Sequence, residues 1–195
     1  TMRIMDATAT GWIQRYSLNS SQAGFADSVA ISGARAVIGH TGLNTNAGVV
    51  YVFEPAGGGS SQWTNTATLL PTTPQTGAAF GHSVAIVSGA VVVGADQEDV
   101  TSGSLLQSAG AAYVFELTTP NWTQVKRIVA STPFANAGFG QAVAISGLDE
   151  GTPDRMLISS RENSGRVYGY RRVSNIWTSS MTLNPPIAQA GQEFG

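Results

Sequence analysis

The chain has 195 residues, 10 of them basic and 12 acidic, so its formal net charge is only −2. That excludes a field strong enough to hold nucleic acid or an anionic membrane, and the absence of cysteine excludes a disulfide framework and thiolate metal sites. Charged residues make up 11%, against roughly 25% in an average domain, so small polar side chains fill the surface and partners must be recognised by shape and polar contacts.

The opening stretch "TMRIMDATATGWIQ" has no basic segment followed by an apolar run, and nothing approaches the roughly 18 apolar residues of a membrane span. The chain is expected neither to cross a membrane nor to carry its own export signal. Its first predicted element is a lone strand around Trp12, within residues 1–23. A unit at 24–70 follows, running from "GFADSVAIS" through "ARAVIGH" and "VVYVF" to Trp63. The unit at 71–130 has four apolar runs, "HSVAIV" (82–87), "AVVVGA" (90–95), "AAYVFE" (111–116) and "WTQVKRIV" (122–129). Ser88-Gly89, loop 96–110 and Thr118-Thr119-Pro120-Asn121 separate them, the breaker chemistry expected between strands. A third unit, 131–187, runs from "GFGQAVAIS" through "RVYGY" to Trp177, and residues 188–195 end on Phe194-Gly195.

These units are one repeat. Phe25, Phe80, Phe139 and Phe194 recur at steps of 55, 59 and 55 residues, and Trp12, Trp63, Trp122 and Trp177 at steps of 51, 59 and 55. Tyr51, Tyr113 and Tyr168 lie between each Phe and the next Trp. Four strands in about 55 residues describe one β-propeller blade, so the fold is expected to be all-β, with blades of four antiparallel strands. Blades packed face to face bury both faces of each sheet, and "AVVVGA" and "SVAIS" read as the continuous apolar runs this requires. Small residues suit an innermost strand, while Tyr, Phe and Trp fill the splayed outer part.

The order Phe-Gly-x-Ser-Val-Ala-Ile, Val-Val-Gly-Ala, Gly-Ala-x-Tyr-Val-Phe and then Trp resembles the FG-GAP repeat of integrin alpha-chain-type β-propellers and their bacterial cell-surface relatives, across residues 12–195. Departures are local: Ala26 replaces the Gly after Phe25, Gly39-His40 and Ser159-Ser160 replace the Gly-Ala of the second strand, and the Pro of the motif name is missing. The resemblance implies a ring of seven blades, of which three complete ones lie here. The frame opens on the outer strand of one blade and stops at the first strand of another, Phe194-Gly195. Two bare end faces would expose ~600 Å² of flat apolar surface and forfeit on the order of 15 kcal/mol, so cover is expected from further blades, a second copy or neighbours in a polymer.

Calcium-binding blades of this family carry an Asp-rich turn between first and second strands. Only "SGLDEGTPDRMLI" keeps its length, with Glu150 and Asp154 at ligand positions but Ser146 and Leu148 at two others, which leaves calcium or a solvated acidic turn as readings. Asp96, Glu98 and Asp99 read as a flexible acidic loop or a cation site. His40 and His82 have no nucleophile motif beside them, and the glycine-rich stretches read as hairpin turns instead of phosphate cradles. Asn19 and Asn121 fit the N-x-S/T glycosylation pattern. The four tryptophans read as packing residues, with sugar stacking as the alternative. The expected protein is a non-enzymatic extracellular or cell-surface propeller segment for adhesion, protein binding or assembly, with no catalytic residues and no cofactor, contacting a protein partner or further copies of itself through loops such as 41–47 and 96–110. The alternatives are a subunit polymerising through open blade ends, a carbohydrate-binding propeller, and an accessory domain of a secreted enzyme.

Overall fold

A computed structural model describes residues 2–18, 24–57, 62–147, 153–186 and 194. The described residues are all-β apart from one 3-10 turn at Glu162–Ser164. A hairpin, β1 (Met2–Thr8) and β2 (Gly11–Leu18), precedes three four-stranded antiparallel sheets. The first sheet is β3 (Phe25–Ser32), β4 (Arg35–His40), β5 (Val49–Pro55) and β6 (Trp63–Leu69), paired in chain order. The second is β7 (Ser83–Val87), β8 (Ala90–Ala95), β11 (Ala111–Thr118) and β12 (Asn121–Ile128), with a small hairpin, β9 (Val100–Ser102) and β10 (Ser104–Leu106), inserted between β8 and β11. The third is β13 (Val143–Gly147), β14 (Pro153–Ser160), β15 (Arg166–Val173) and β16 (Ile176–Leu183).

Turn chemistry sets these boundaries. Ser174 and Asn175 both take positive φ, 48° and 64°, between β15 and β16, the geometry whose twist matches that of the flanking strands. A register shift recurs in every outer hairpin, between Val52 and Phe53, Val114 and Phe115, and Gly169 and Tyr170. It recurs also between Ile4 and Met5. The segment around Trp12 is therefore not a lone strand: β1 and β2 have the register of a third and a fourth strand, with Trp12 opposite Ala7 as Trp122 is opposite Leu117.

The sheets stack through the Phe-Gly pairs. Phe80 N–H donates to the Ala47 carbonyl of the first sheet at 3.0 Å, Phe139 N–H to Ala109 of the second at 2.9 Å, and Phe194 N–H to Ser164 of the third at 3.1 Å. The receiving glycines, Gly48, Gly110 and Gly165, have φ of 85°, 83° and 92°, a region costly for residues with a Cβ. A Cβ on Gly48 would lie 2.0 Å from the Phe80 carbonyl oxygen. One strand inward, Ser28 Oγ donates to Gly81 O and Ser83 Oγ to Gly140 O, both at 2.7 Å. Phe194 thus occupies the register that the period assigns to it, while Gly195 lies outside the described residues.

Apolar clusters fill the gaps. Phe80 and Phe139 are fully buried, the first edge-on to Tyr113 and Phe115, the second tilted against Tyr168. Burial is less uniform than expected. All six residues of β8 are buried, because a strand in mid-sheet is covered on both faces, yet β7 and β12 alternate. In β3, Val29 and Ile31 are 58% and 61% exposed, which overturns the reading of "SVAIS" as a strand buried on both sides. No ring closes among the described residues; the hairpin and the third sheet are the two ends of the stack.

Close approach at the second strand gives a direct test. A Cβ on Gly94 would lie 1.9 Å from Gly140 O, whereas one on Gly89 meets only Leu117 Cβ at 3.5 Å. Gly94→Ala is expected to cost about 3 kcal/mol of unfolding free energy, Phe139→Ala about 3–5 kcal/mol, and Gly89→Ala no more than about 0.5 kcal/mol, as read by urea denaturation.

Candidate functional site

The loops that follow the second strand of each sheet, 41–48, 96–110 and 161–165, lie along one rim of the stack, and each is tied to the sheet that follows it or to the segment leading there. Ala79 N–H bonds to Asn46 O at 2.9 Å, Gly138 N–H to Ser108 O at 3.1 Å, and Phe194 N–H to Ser164 O at 3.1 Å. The rim is a built surface because these backbone groups are paired across sheets.

Its acidic residues are not flexible. Asp96 and Glu98 are buried, at 2% and 4% exposure, which overturns the reading of these two as part of a flexible acidic loop. A carboxylate taken out of water must be paired. Glu98 Oε2 accepts the Tyr113 hydroxyl proton at 2.7 Å, and Oε1 faces Arg127 Nη2 at 2.5 Å. Glu162 repeats the arrangement in the third sheet, accepting from Tyr168, with Arg166 Nη1 at 3.3 Å. Asp96 lies 3.5 Å from His82 Nδ1 and 3.5 Å from Arg161 Nη2, so it joins two sheets. Asp99 is clamped by Gln75, its N–H donating to Gln75 Oε1 at 2.6 Å, and its Oδ1 accepts from Ser108 N at 2.8 Å. Between Thr72, Gln75, Glu98, Tyr113 and Arg127 lies a polar recess of about 400 Å³.

Burial and the Glu98 carboxylate push the Tyr113 phenol well above its ordinary value. Burial opposes the Arg127 charge, but Glu98 outweighs it and holds the guanidinium protonated. Burial, with Glu162 second, raises Tyr168, and burial with Tyr168 beside it pushes Tyr170 up to about 12. These groups are locked in their neutral or paired forms near neutral pH and are poor proton carriers.

The remaining predicted residues separate by role. Tyr51 is half-buried and packs with His40, which is buried against Phe25 with ring centroids 5.4 Å apart. Neither His40 ring nitrogen has a hydrogen-bond partner among the described residues. Trp177 is buried and its Nε1–H donates to Glu116 of the second sheet at 3.2 Å, while Arg172 Nη2 reaches the same carboxylate at 2.6 Å. Trp63 and Trp122 are half-buried in the intersheet clusters, and Trp12 is 71% exposed. Asn121 is exposed at the start of β12; Asn19 and Glu150 lie outside the described residues. Asp154 Oδ2 faces Arg155 Nε at 3.4 Å, so a fixed cation already adjoins the described carboxylate of that turn. Among the described residues no three His, Cys, Asp or Glu converge as a metal site.

Sequence reasoning caught Tyr113 and Tyr168 as periodic markers but missed their carboxylates. Glu98 precedes its Tyr by 15 residues and Glu162 by only 6; the usable signal is a Glu two or three residues past the end of a second strand.

Repeated antiparallel sheets, joined by a Phe-Gly latch and bearing a rim of pinned loops, define an all-β repeat protein. A family model described as FG-GAP repeat matches residues 63–115, from the first residue of β6 into β11, and the chain carries an FG-GAP repeat there. No curated protein matches the chain.

The phenols set an alkaline limit. Tyr170 has a folded value of about 12 against an ordinary 10.0, so the stability it contributes is complete below pH 10 and is lost as pH rises through 12. Melting temperatures measured from pH 8 to 11.5 should fall more steeply for the wild type than for Tyr170→Phe. By pH 11.5 the two curves should part by about 4–8 °C, the response to roughly 2 kcal/mol in a chain of this size.

Proposed function

We propose that the chain is a run of blades from a β-propeller-type, non-enzymatic protein-binding domain that works in adhesion or assembly outside the cell or at its surface. The observation that carries this reading is the latch: three Phe N–H groups, of Phe80, Phe139 and Phe194, dock on equivalent carbonyls and so hold successive sheets at a fixed spacing. A radial series of such sheets is a propeller, with seven blades as the resemblance implies. The FG-GAP repeat at 63–115 supports the same class. A contact role suits the rim, whose loops differ from sheet to sheet, with a small β9–β10 hairpin in the second and a 3-10 turn in the third, on a scaffold that does not differ. A non-enzymatic role is supported by the pairing of Glu98 with Tyr113 and Arg127 and of Glu162 Oε1 with Tyr168 and Arg166, which ties both carboxylates to structural partners. Assembly through the stack ends is favoured by Trp12, Leu157, Met181 and Leu183, all large apolar residues left exposed there.

Replacing 44–46 and 101–105, all exposed, by Gly-Ser segments spares the latch residue Ala47 as well as Asp96, Glu98 and Ser108, and tests the rim. Binding of the labelled chain to an array of extracellular proteins should fall by at least about tenfold while the melting temperature holds. Binding unchanged by the replacement, or a hydrolase activity abolished by one Ala substitution, overturns the reading. Light scattering tests the end-on assembly: a monodisperse particle of 20.2 kDa rules it out.

A further inference from the structure

We infer that His82 Nδ1 and Asp96 Oδ1 form a two-ligand site for Zn²⁺ at the junction of the second and third sheets. The inference stands apart from what the rim loops contact and from the ends of the stack.

Asp96 carries an unpaired oxygen. Its side chain is 3% exposed, and Oδ1 has no hydrogen-bond partner among the described residues. A carboxylate oxygen taken out of water is costly to leave unsatisfied. His82 Nδ1 faces it at 3.5 Å, beyond the roughly 2.7–3.2 Å of a protein hydrogen bond.

The repeat allows these two positions to touch. In the first sheet, the residue after the Phe-Ala pair and the residue after the second strand are Asp27 and Thr41, and Thr41 Oγ1 donates directly to the Asp27 carboxylate. The same positions of the second sheet hold His82 and Asp96 and stand open. Both backbones are nonetheless fixed. His82 N–H donates to Ala79 O at 3.0 Å, and beyond Asp96 the Gln97 N–H donates to Ala78 O at 3.3 Å and the Glu98 N–H to Ala95 O at 3.1 Å. Arg161 Nη2, 3.5 Å from Oδ2, holds the far side of the carboxylate, the kind of outer contact that orients a metal ligand.

The separation selects the guest. Zn²⁺ bonds imidazole nitrogen and carboxylate oxygen at about 2.0–2.2 Å in tetrahedral geometry, which puts two ligand atoms ~3.4 Å apart. The gap between His82 and Asp96 matches this at 3.5 Å. Calcium and magnesium take oxygen ligands, so an imidazole at one of the two positions disfavours both. Nδ1 is free to ligate when the ring proton sits on Nε2. The His82 side chain is 41% exposed, so the ion can enter from solvent and keep water at its remaining positions. Two protein ligands, with the Arg161 charge nearby, make this a weak centre and not a structural one.

Zn²⁺ itself is the probe, titrated by calorimetry into the full chain after treatment with a chelator. Saturable one-to-one binding in the micromolar range is expected. His82→Ala should weaken it by at least about tenfold with the melting temperature retained, because the imidazole makes no hydrogen bond among the described residues. Asp27→Asn, at the equivalent place in the first sheet, should leave it unchanged. The chain has 2 histidines, so imidazole NMR reads the site directly: Zn²⁺ should move the ring signals of His82 and not those of His40. Absence of saturable binding up to about 1 mM, equal binding by His82→Ala, loss with Asp27→Asn, or shifts at His40 in place of His82 overturns the proposal.

Discussion

A phenylalanine N–H bonded to a carbonyl of the preceding sheet, with a glycine on the receiving side, is the contact on which the rest of the stack depends. The Phe80, Phe139 and Phe194 backbones approach Gly48, Gly110 and Gly165 so closely that a Cβ on the receiving residue would fall within 2.0 to 2.3 Å of a backbone atom. That distance fixes sheet spacing, and spacing decides what the core holds. With the backbones in contact, the Phe80 ring is edge-on to Tyr113 and the Phe139 ring is tilted on Tyr168, each 5.4 Å between centroids. Any wider separation would leave gaps at these rings, and gaps forfeit both dispersion and transfer energy. The first Phe of the series differs from the others. Ala26, at φ 61°, stands where Gly81 and Gly140 have 95° and 94°, and Phe25 is only half-buried.

Polar anchoring varies where the latch does not. The second and third sheets each bury a carboxylate against a tyrosine and an arginine, while the first puts His40 between Phe25 and Tyr51 with neither ring nitrogen paired among the described residues. A buried charge contributes little net stability even when paired, so these clusters are better understood as fixing geometry. Glu98 holds the start of the 96–110 loop against β11 and β12, and Asp96 holds it to the third sheet. Glu116, taking both Trp177 and Arg172, does the same at the outer edge.

The sequence made the strands legible because period and breaker residues agree. β8 and the predicted run 90–95 coincide, and β11 begins where "AAYVFE" does. Phe194 was placed by spacing alone. What stayed hidden depended on neighbours that spacing does not encode. "MRIMDAT" lacks the Tyr-Val-Phe marker of a third strand, and only its register against β2, with the shift at Ile4 and Met5, shows what it is. Glu98 looked like part of a flexible acidic loop because it sits between Asp96 and Asp99 in "ADQEDVTSGS", yet it is paired to Tyr113 and Arg127, on two other strands. Val29 and Ile31 looked like core residues, as their equivalents Val84 and Ile86 are, but the described hairpin before them packs its Ile4 on Ala36, Ile38 and Phe53 instead.

The rim belongs to pairs of sheets and not to single ones. Loop 41–48 is bonded to residues 77–80, which lead into the second sheet, and loop 96–110 to 136–139, which lead into the third. Own-sheet pairs such as Glu98 with Tyr113 hold one end of a loop, and the docking of the next Phe-Gly pair fixes the other. The matched repeat, 63–115, starts on the outer strand of one sheet and runs into the third strand of the next, so it holds the donor Phe80 of one latch and the acceptor Ala109 of the following one. In a stack built from nearest-neighbour contacts, stability and surface shape propagate together. A change at a latch glycine then acts at a distance on whatever the rim holds, because spacing between sheets is the variable they share.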